Sequence, residues 1–476
     1  MNEPADALPP PEAASGTADA LPPAEAASGT VAVVGGGLAG IATALRCVDA
    51  GRSVTLYEAR PHLGGLTHSF TRGELHVDNG QHVFLRCCTA YLALLDRLGV
   101  ADRVALQPRL AIPIRTPGSA ATTWLRRGDL PAPLHLAASL LRYEHLRPLD
   151  RARFALAALA LKRVDPADDR TDRQSFGEWL RRHGQSAAAI EVLWDLVGVA
   201  TLNAGADDAS LSLAATVFQE GLLTDPAAAD IGWSLVPLSE LHGDPARARL
   251  AEAGAEVRTG VKVRSIERCG RGWRVRTDSG EDRFGQVVLA TPPPVTERLA
   301  PDGAVRLPPG WSGGLGSSPI VNVHVVLDRR VLDEPFAAGV RTPVQWVFDR
   351  TRQSGLDSGQ YLAMSLSAAD GLIDLPTAAL RERLLPELTG LLPEARQAEV
   401  LDFFVTRERH ATFRPSPGTA SLRPPAATAE RGLFLAGAWT ATGWPATMEG
   451  AARSGAAAAN ALLEEHIHDV KEGVGA

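Results

Sequence analysis

Lysine is nearly missing from this chain of 476 residues, occurring only at Lys162, Lys262 and Lys471, while arginine carries the remaining basic charge. We read that bias as codon usage. Acidic residues still outnumber basic ones, and the net charge of −7 leaves no basic face of the kind nucleic-acid binding needs. Cysteine is scarce too: Cys47, Cys87, Cys88 and Cys269 form no CxxC pair and have no histidine grid nearby. That supports neither a disulfide framework nor a metal site, and points to a reducing cytoplasm. No run of about 18 apolar residues occurs, so no membrane-crossing helix is expected. A basic stretch followed by an apolar one is also lacking near residue 1, so no signal peptide is expected. The hydrophobic content of 45% nevertheless supports a real core. The length suits two domains, or one large α/β unit with an inserted lobe.

The first thirty residues repeat themselves, ADALPPPEAASGT (5–17) being followed by ADALPPAEAASGT (18–30). Rich in Pro, Ala, Ser and Gly, they bury too little apolar surface to offset ordering entropy, and a disordered tail is expected. Residues 31–34 (VAVV) then read as a buried strand, 35–40 as a tight turn, 38–50 as a helix and 53–58 as the next strand. Residues 131–224 read as mostly helical, and 256–291 as short strands separated by glycine turns. Further strands are expected at 287–294, 320–327, 360–367 and 399–406, with a helix near 377–389. Finally GLFLA (432–436) reads as a strand, leading through Trp439 and Trp444 to a helix opened by Pro445. Nucleotide-type strands thus recur at the start, middle and end of the chain.

Gly35-Gly36-Gly37-Leu38-Ala39-Gly40 fits G-x-G-x-x-G between a strand and a helix. The spacing has a mechanism. Gly35 makes the turn, Gly37 admits a pyrophosphate to the backbone, and Gly40 lets helix and strand pack closely. Glu58 ends the next strand, 18 residues past Gly40, where a carboxylate accepts hydrogen bonds from ribose hydroxyls. A second glycine pair, Gly64-Gly65, follows soon after. No second G-x-G-x-x-G follows a strand, so a reduced nicotinamide has no dedicated domain and the electron donor stays open. At the far end, Pro445 suits a helix's first turn, leaving the N–H groups of Ala446 to Glu449 free for an acceptor. Glu449 and Arg453 can pair across one turn.

The glycine motif, Glu58 and the pair Gly64-Gly65 together resemble the flavoprotein family of amine oxidases and phytoene desaturases. The resemblance implies FAD, with Gly35, Gly37, Leu38, Ala39, Gly40, Glu58, Ala59, Arg60, Gly64 and Gly65 around its adenosine and pyrophosphate. It implies that Val263, in GVKVRSIE, meets the adenine through its backbone. It places Gly437, Ala446, Thr447 and Met448 at the flavin end. The sequence departs from the family pattern twice. Leu66 stands where an arginine often follows the glycine pair, with Arg60 as its expected substitute. Ala438 stands where LAGDW would carry an acid against the ribityl–phosphate region, and Ala438→Asp is expected to tighten FAD binding.

DNGQHVFL (78–85), WDLVGVATLN (194–203), ADDAS (206–210), GWSLVPLSEL (232–241), TRERHATFRPSPG (406–418) and LAGAWTATGWPATMEGAARSG (435–455) together resemble hydroxysqualene dehydroxylases of hopanoid biosynthesis. That resemblance implies reductive removal of a hydroxyl from hydroxysqualene, with hydride passing from reduced flavin to the allylic carbon. Hydroxide leaves poorly, so an acid is needed. His82, Asp195 and Glu408 are the candidates, His82 leading slightly because it sits two residues past Gly80 in a motif expected near the flavin, with Asp78 and His410 behind them. The fold implied is α/β: a discontinuous Rossmann-like FAD-binding domain of the GR2 type, an inserted α+β substrate domain and a helical membrane-facing part. The expected boundaries are a tail (1–30), FAD-binding pieces at 31–105, 230–305 and 425–465, substrate pieces at 106–229 and 306–424, and a tail at 466–476.

The partners implied are a C30 isoprenoid, the cytoplasmic face of the membrane and squalene synthase-like enzymes, with no nucleic acid. HLAASLL (135–141) and FALAALAL (154–161), flanked by arginines, suit the lipid-facing mouth, and equally suit two packed helices. An oxidative carotenoid-type desaturase remains the nearest alternative. An amine oxidase is weaker, because no lysine matches the flavin-contacting one of such enzymes. A flavin-containing lipid carrier without turnover is the third.

Overall fold

The computed structural model describes residues 29–119 and 121–474. The expected N-terminal tail therefore lies, apart from its last two residues, outside the described residues. The chain opens with strand β1 (Thr30–Val34), helix α1 (Leu38–Asp49) and strand β2 (Ser53–Glu58). These strands form the middle of a five-stranded parallel sheet in the order Glu256–Thr259, β2, β1, Gln286–Leu289, Leu433–Leu435. One sheet is thus assembled from three stretches far apart in sequence. β1, Gln286–Leu289 and Leu433–Leu435 are apolar at successive positions because both faces are covered there. Val31, Val33 and Val288 pack with α1 and the C-terminal helix. Ala32, Val34, Val287 and Leu289 pack under a three-stranded meander and a helical cluster around Trp194 and Phe218.

The C-terminal helix runs over Met448–Val474, through the stretch expected as a tail from 466. It crosses α1 at backbone contact. A Cβ on Gly455 would lie 2.4 Å from the Ala39 carbonyl oxygen, and Thr43 Oγ1 donates to the Gly455 carbonyl at 3.2 Å. A glycine that costs helix propensity is here required by close approach.

The second large sheet has seven strands, ordered Val400–Thr412, Ser318–Leu327, Gln360–Leu366, Trp346–Asp349, Phe336–Gly339, Ala111–Arg115, Thr123–Arg126. Its period-two alternation gives it two different faces. Val321, Val323 and Val325 pack against Leu380, Leu384, Leu388 and Leu391 of the Thr377–Leu391 helix. On the other face Phe336 and Phe348 meet Leu136, Tyr143, Leu193 and Leu196 of the helical block. Asn322 and His324 also point to that side, where the loop carrying Asn79 and Gly80 rests on them.

Gly455→Val forces methyl groups into the Ala39 backbone, and overpacking of this kind costs about 1–3 kcal/mol. Urea unfolding is expected to show that loss, together with weaker retention of any ligand held by α1; unchanged stability would contradict the contact.

Candidate active site

The turn from β1 into α1 is held by backbone and one carboxylate. Gly35 N–H donates to the Tyr57 carbonyl at 2.7 Å, and Gly36 N–H donates to Glu58 Oε2 at 2.6 Å. Glu58 Oε1 accepts the Arg60 N–H at 2.8 Å, leaving lone pairs on both oxygens for ribose hydroxyls. A Cβ on Gly40 would lie 1.9 Å from the Gly35 carbonyl oxygen, so helix and strand touch as the spacing implies. Gly64 N–H donates to the Gly36 carbonyl at 2.8 Å, seating the second glycine pair on the first. Gly65 adopts φ +60, and a Cβ there would come within 2.9 Å of the Gly37 Cα. The result is a side-chain-free cradle over the start of α1.

The cradle fits an anion. Ala39 and Gly40 N–H in the first turn of α1 find no acceptor among the described residues, and no acid stands in that turn. The C-terminal helix contributes a second such end, because Met448 and Glu449 N–H are also without acceptors there. Its start differs from expectation. The helix begins at Met448, three residues past Pro445, because Thr447 Oγ1 caps the Gly450 N–H at 3.1 Å. Thr447 N–H meanwhile turns back to the Pro445 carbonyl. The Glu449 carboxylate faces away, accepting Ala90 and Tyr91 N–H and pairing with Arg453 at 2.6 Å. It caps the Thr89–Leu98 helix and does not compete for an anion at its own helix end.

The loop before this helix is shaped by a residue that the motifs did not single out. Arg423, buried and stacked on Phe413, donates to the carbonyls of Ala438, Trp439, Thr440 and Trp444. Desolvation pushes its pKa down to about 10. Trp439 is a core residue, its indole N–H donating to the Thr291 carbonyl at 3.0 Å, whereas Trp444 is half-buried beneath Arg453. Gly437 has φ +147 and donates to Ser454 Oγ at 2.9 Å. Ala446 precedes the helix start, half-buried. Arg60 is exposed, with Nη1 3.4 Å from the Gly65 carbonyl oxygen. Ala59 is exposed beside it. Val263 begins a strand just after Val261 N–H has bonded the Glu58 carbonyl at 2.9 Å. That bond, with Gly260 N–H donating to the Arg60 carbonyl at 2.8 Å, brings the 260–263 turn to the ribose end of the cradle.

No hydrogen bond or ion pair joins His82, Asp195 and Glu408 to one another. Asp78 is saturated by the buried Arg350 guanidinium, the Ser69 hydroxyl and the Leu238 N–H. His82 lies against Gly80, its Nε2 3.1 Å from where a Cβ would be, and burial pushes its pKa down to about 4. It is neutral at neutral pH. Glu408 sits half-buried on the Val400–Thr412 strand, paired with Ile320 and accepting the His410 N–H at 3.3 Å. His410 is exposed and bonded to Ser317.

Asp195 follows a π-helical turn, Ile190–Trp194, a feature common at functional positions. Burial pushes its carboxyl up to about 6, although the Ala206 N–H donates to it at 3.0 Å. A cavity of about 150 Å³ opens beside it, lined also by Leu196, Val199, Val340, Arg341 and Trp346.

Beside His82 lies a buried polar chain. Tyr361 hydroxyl meets His324 Nδ1 at 2.7 Å, His324 Nε2 meets Thr406 Oγ1 at 3.0 Å, and Thr406 donates to the Asn79 carbonyl at 3.3 Å. Burial pushes His324 down to about 3, so its ring is neutral. With its proton on Nε2 every link has one donor. Asn322, buried next in line, leaves Oδ1 without a partner. Two polar residues alternating with valines in a central strand (IVNVHVVL) were the available sequence signal.

The flavin containing amine oxidoreductase model matches residues 38–463. Hydroxysqualene dehydroxylase of Rhodopseudomonas palustris is 29% identical over 431 residues, covering 87% of this chain and 93% of that protein. The hydroxysqualene dehydroxylase of Zymomonas mobilis is 27% identical over 416 residues, covering 86% and 93%. Zeta-carotene desaturase of Synechocystis is 25% identical over 466 residues, covering 86% and 92%. Among solved structures, putrescine oxidase bound to putrescine superposes with TM-score 0.67 at 22% identity, covering 91% of this chain and 99% of that one. Cyclohexylamine oxidase from Brevibacterium oxydans gives 0.66 at 19%, covering 92% and 99%. These two likenesses establish the fold.

Two outcomes test the site. Ala438→Asp is expected to tighten FAD binding by about 0.5–1.5 kcal/mol, one added hydrogen bond, in fluorescence titration of the apoprotein; unchanged or weaker affinity refutes that role. Asp195 has a folded-state pKa above its unfolded one, so the native state binds the extra proton and loses stability as pH rises from about 4 to about 6. Asp195→Asn is expected to unfold like the parent near pH 4 and to be about 1–2 kcal/mol more stable at about pH 8. A constant difference across that range would contradict the raised pKa.

Proposed function

The chain belongs to the flavin containing amine oxidoreductase family and takes FAD as its cofactor, and within that family we propose that it removes the hydroxyl of hydroxysqualene reductively to give squalene. The reaction breaks the allylic C–O bond and forms a C–H bond. The carbon gains a hydride, and the departing oxygen takes a proton and leaves as water. When bound and reduced, FAD supplies the hydride. The polypeptide has to hold the cofactor, bind a long apolar chain and deliver that proton.

The observation that carries this reading is Asp195, a carboxyl kept protonatable near neutral pH by burial beside a cavity whose lining mixes apolar side chains with Glu191, Arg341, Thr342 and Gln345. An ionised carboxylate gives no help to a departing hydroxide, whereas a carboxyl with a pKa near the working pH does. Leu196, Val199, Val340 and Trp346 around it offer apolar surface to an isoprenoid. His82, neutral beside Gly80, and Asn322, with its unmatched Oδ1, are further polar groups on the sheet face that meets the helical block. Glu408 is the remaining candidate for the acid. The near-full-length similarity to two hydroxysqualene dehydroxylases supports the substrate class.

A second reading, oxidative desaturation of a carotenoid-type polyene, is favoured by the equally extensive similarity to zeta-carotene desaturase. Either substrate resides in lipid. Among the described residues no helix is long and apolar enough to cross a membrane, so the proposal sets the protein peripherally on the inner face. Squalene synthase-like enzymes would then supply its substrate.

Anaerobic incubation of the FAD-loaded protein with dithionite and hydroxysqualene, followed by product analysis, is expected to yield squalene, and Asp195→Asn to lower that yield at least about a hundredfold. Desaturation of phytoene or squalene under oxidising conditions, with no squalene formed from the alcohol, would overturn the proposal.

A further inference from the structure

The stretch WDLVGVATLN (194–203) ends on Asn203, which caps the Asp195–Leu202 helix with left-handed backbone at φ 56. Its side chain is buried, and both ends of the amide are engaged. Nδ2 donates to the Ser318 carbonyl and to Thr412 Oγ1, each at 3.0 Å, and Oδ1 accepts the Ala368 N–H at 2.6 Å. The Asn203 carbonyl accepts from Ser318 Oγ at 2.7 Å. Ser318 and Thr412 face each other at one end of paired strands of the seven-stranded sheet, and Ala368 lies just past a third strand. One amide thus ties the helix end to three strands. A helix cap needs only the backbone turn, which glycine makes as well. The side-chain bonds go beyond that need.

The tie bears on Asp195. Past Asn203 the chain doubles back along the helix, and Ala206 N–H donates to Asp195 Oδ1 at 3.0 Å. The Ala206 carbonyl accepts in turn from Gly177 N–H at 2.7 Å. Ala204 and Ala206 are buried, so this return segment helps keep water off the carboxyl. Backbone strain gathers at the same place. Among the described residues, the non-glycine positions with left-handed backbone are Asn203, Arg341 at φ 59 and Ala368 at φ 51. Arg341 lines the cavity beside Asp195. Ala368 donates to Asn203, and its neighbour Ser367 is held through N–H and carbonyl by Gln345, on the same cavity wall. Left-handed alanine and arginine are costly, persist where surrounding bonds over-determine them, and cluster at functional sites. We infer that Asn203 is a positioning residue for Asp195, its amide fixing the turn whose return segment covers the carboxyl and bonds to it. The inference rests on the reading of Asp195 as proton donor in the proposed reaction. Other charges near the carboxyl are Glu191 one turn back, Asp207, which pairs with Arg181, and Arg341 on the cavity wall. None of them is a hydrogen-bond partner of Asn203.

Heteronuclear NMR of the aspartate carboxyls in the FAD-loaded protein, with the Asp195 signal assigned by its loss in Asp195→Asn, tests this directly. In the parent the carboxyl is expected to titrate with a midpoint at about 6. Asn203→Gly keeps the left-handed turn and removes the amide. Water then reaches the carboxyl, and its midpoint is expected to fall by at least about one pH unit, toward the ordinary value of about 4. Thr412→Val breaks a single bond of the tie and is expected to move the midpoint part of the way. In squalene-forming turnover, Asn203→Gly is expected to lower kcat about tenfold at about pH 7 with KM nearly unchanged, because its acid is ionised at lower pH. An unmoved midpoint in Asn203→Gly, or in Thr412→Val where the glycine variant loses FAD, overturns the inference. A parent that forms no squalene refutes the proposed reaction, whereas the carboxyl midpoints by themselves decide whether Asn203 positions Asp195.

Discussion

Everything at the cofactor end depends on how closely the backbone of α1 can be approached. Four pieces of chain meet there without side chains between them: the β1–α1 turn, the Gly64-Gly65 pair, the Gln286–Leu289 strand end and the C-terminal helix. Gly40 brings α1 against β1, Gly65 sits on Gly37, and Gly455 brings the last helix onto Ala39. The Gly40 contact is local, but Gly455 meets Ala39 and Gly35 meets Ala290 from far along the chain, so the same glycines that shape an anion cradle also hold the three-part sheet together. Stability and cofactor binding therefore cannot be separated at this point. That is why free N–H groups of two helices, α1 and the one starting at Met448, open toward one end of the parallel sheet.

The reactive side is organised by different physics. There the contacts are buried and polar. Arg350 neutralises Asp78, the chain from Tyr361 through His324 and Thr406 ends on the Asn79 carbonyl, and Arg423 gathers the carbonyls of the 438–444 loop. Breaking any one strands a buried donor or charge, which costs more than the net worth of the bond it made. These networks pin the Asn79–His82 loop and the Trp439–Trp444 loop to the seven-stranded sheet and its neighbours. Burial beside that loop keeps His82 neutral, while burial holds Asp195 protonated to a higher pH than an exposed carboxyl. The electrostatics therefore set the two candidates apart, His82 pushed down by burial and Asp195 pushed up by it.

Local features were legible in sequence and distant pairings were not. The β1–α1 turn and Glu58 lie within thirty residues and carry a spacing with a mechanical meaning, so both were readable. The strands at 320–327 and 360–367 announced themselves by alternation. The Asp78–Arg350 pair spans 272 residues, and no motif links its members. Arg423 sits in an unremarkable SLRPP stretch, and its role exists only because the loop folds around it. Even the helix start was misplaced by three residues, since Pro445 suits a first turn but Thr447 supplies the cap. Trp439 lies in the core with its indole N–H on the Thr291 carbonyl, a partner 148 residues away that no motif marks. A raised carboxyl pKa such as that of Asp195 arises from burial, which no pattern of residues encodes.

The central claim is the direction in which electrons move between flavin and lipid. Anaerobic rapid mixing of the protein carrying reduced FAD with hydroxysqualene tests it most directly, with flavin absorbance and lipid product followed together. Reductive dehydroxylation requires the flavin to reoxidise in a single turnover, with squalene appearing in equal amount and at the same rate. A reduced flavin that ignores the alcohol, while the oxidised protein is bleached by a polyene hydrocarbon, would contradict it.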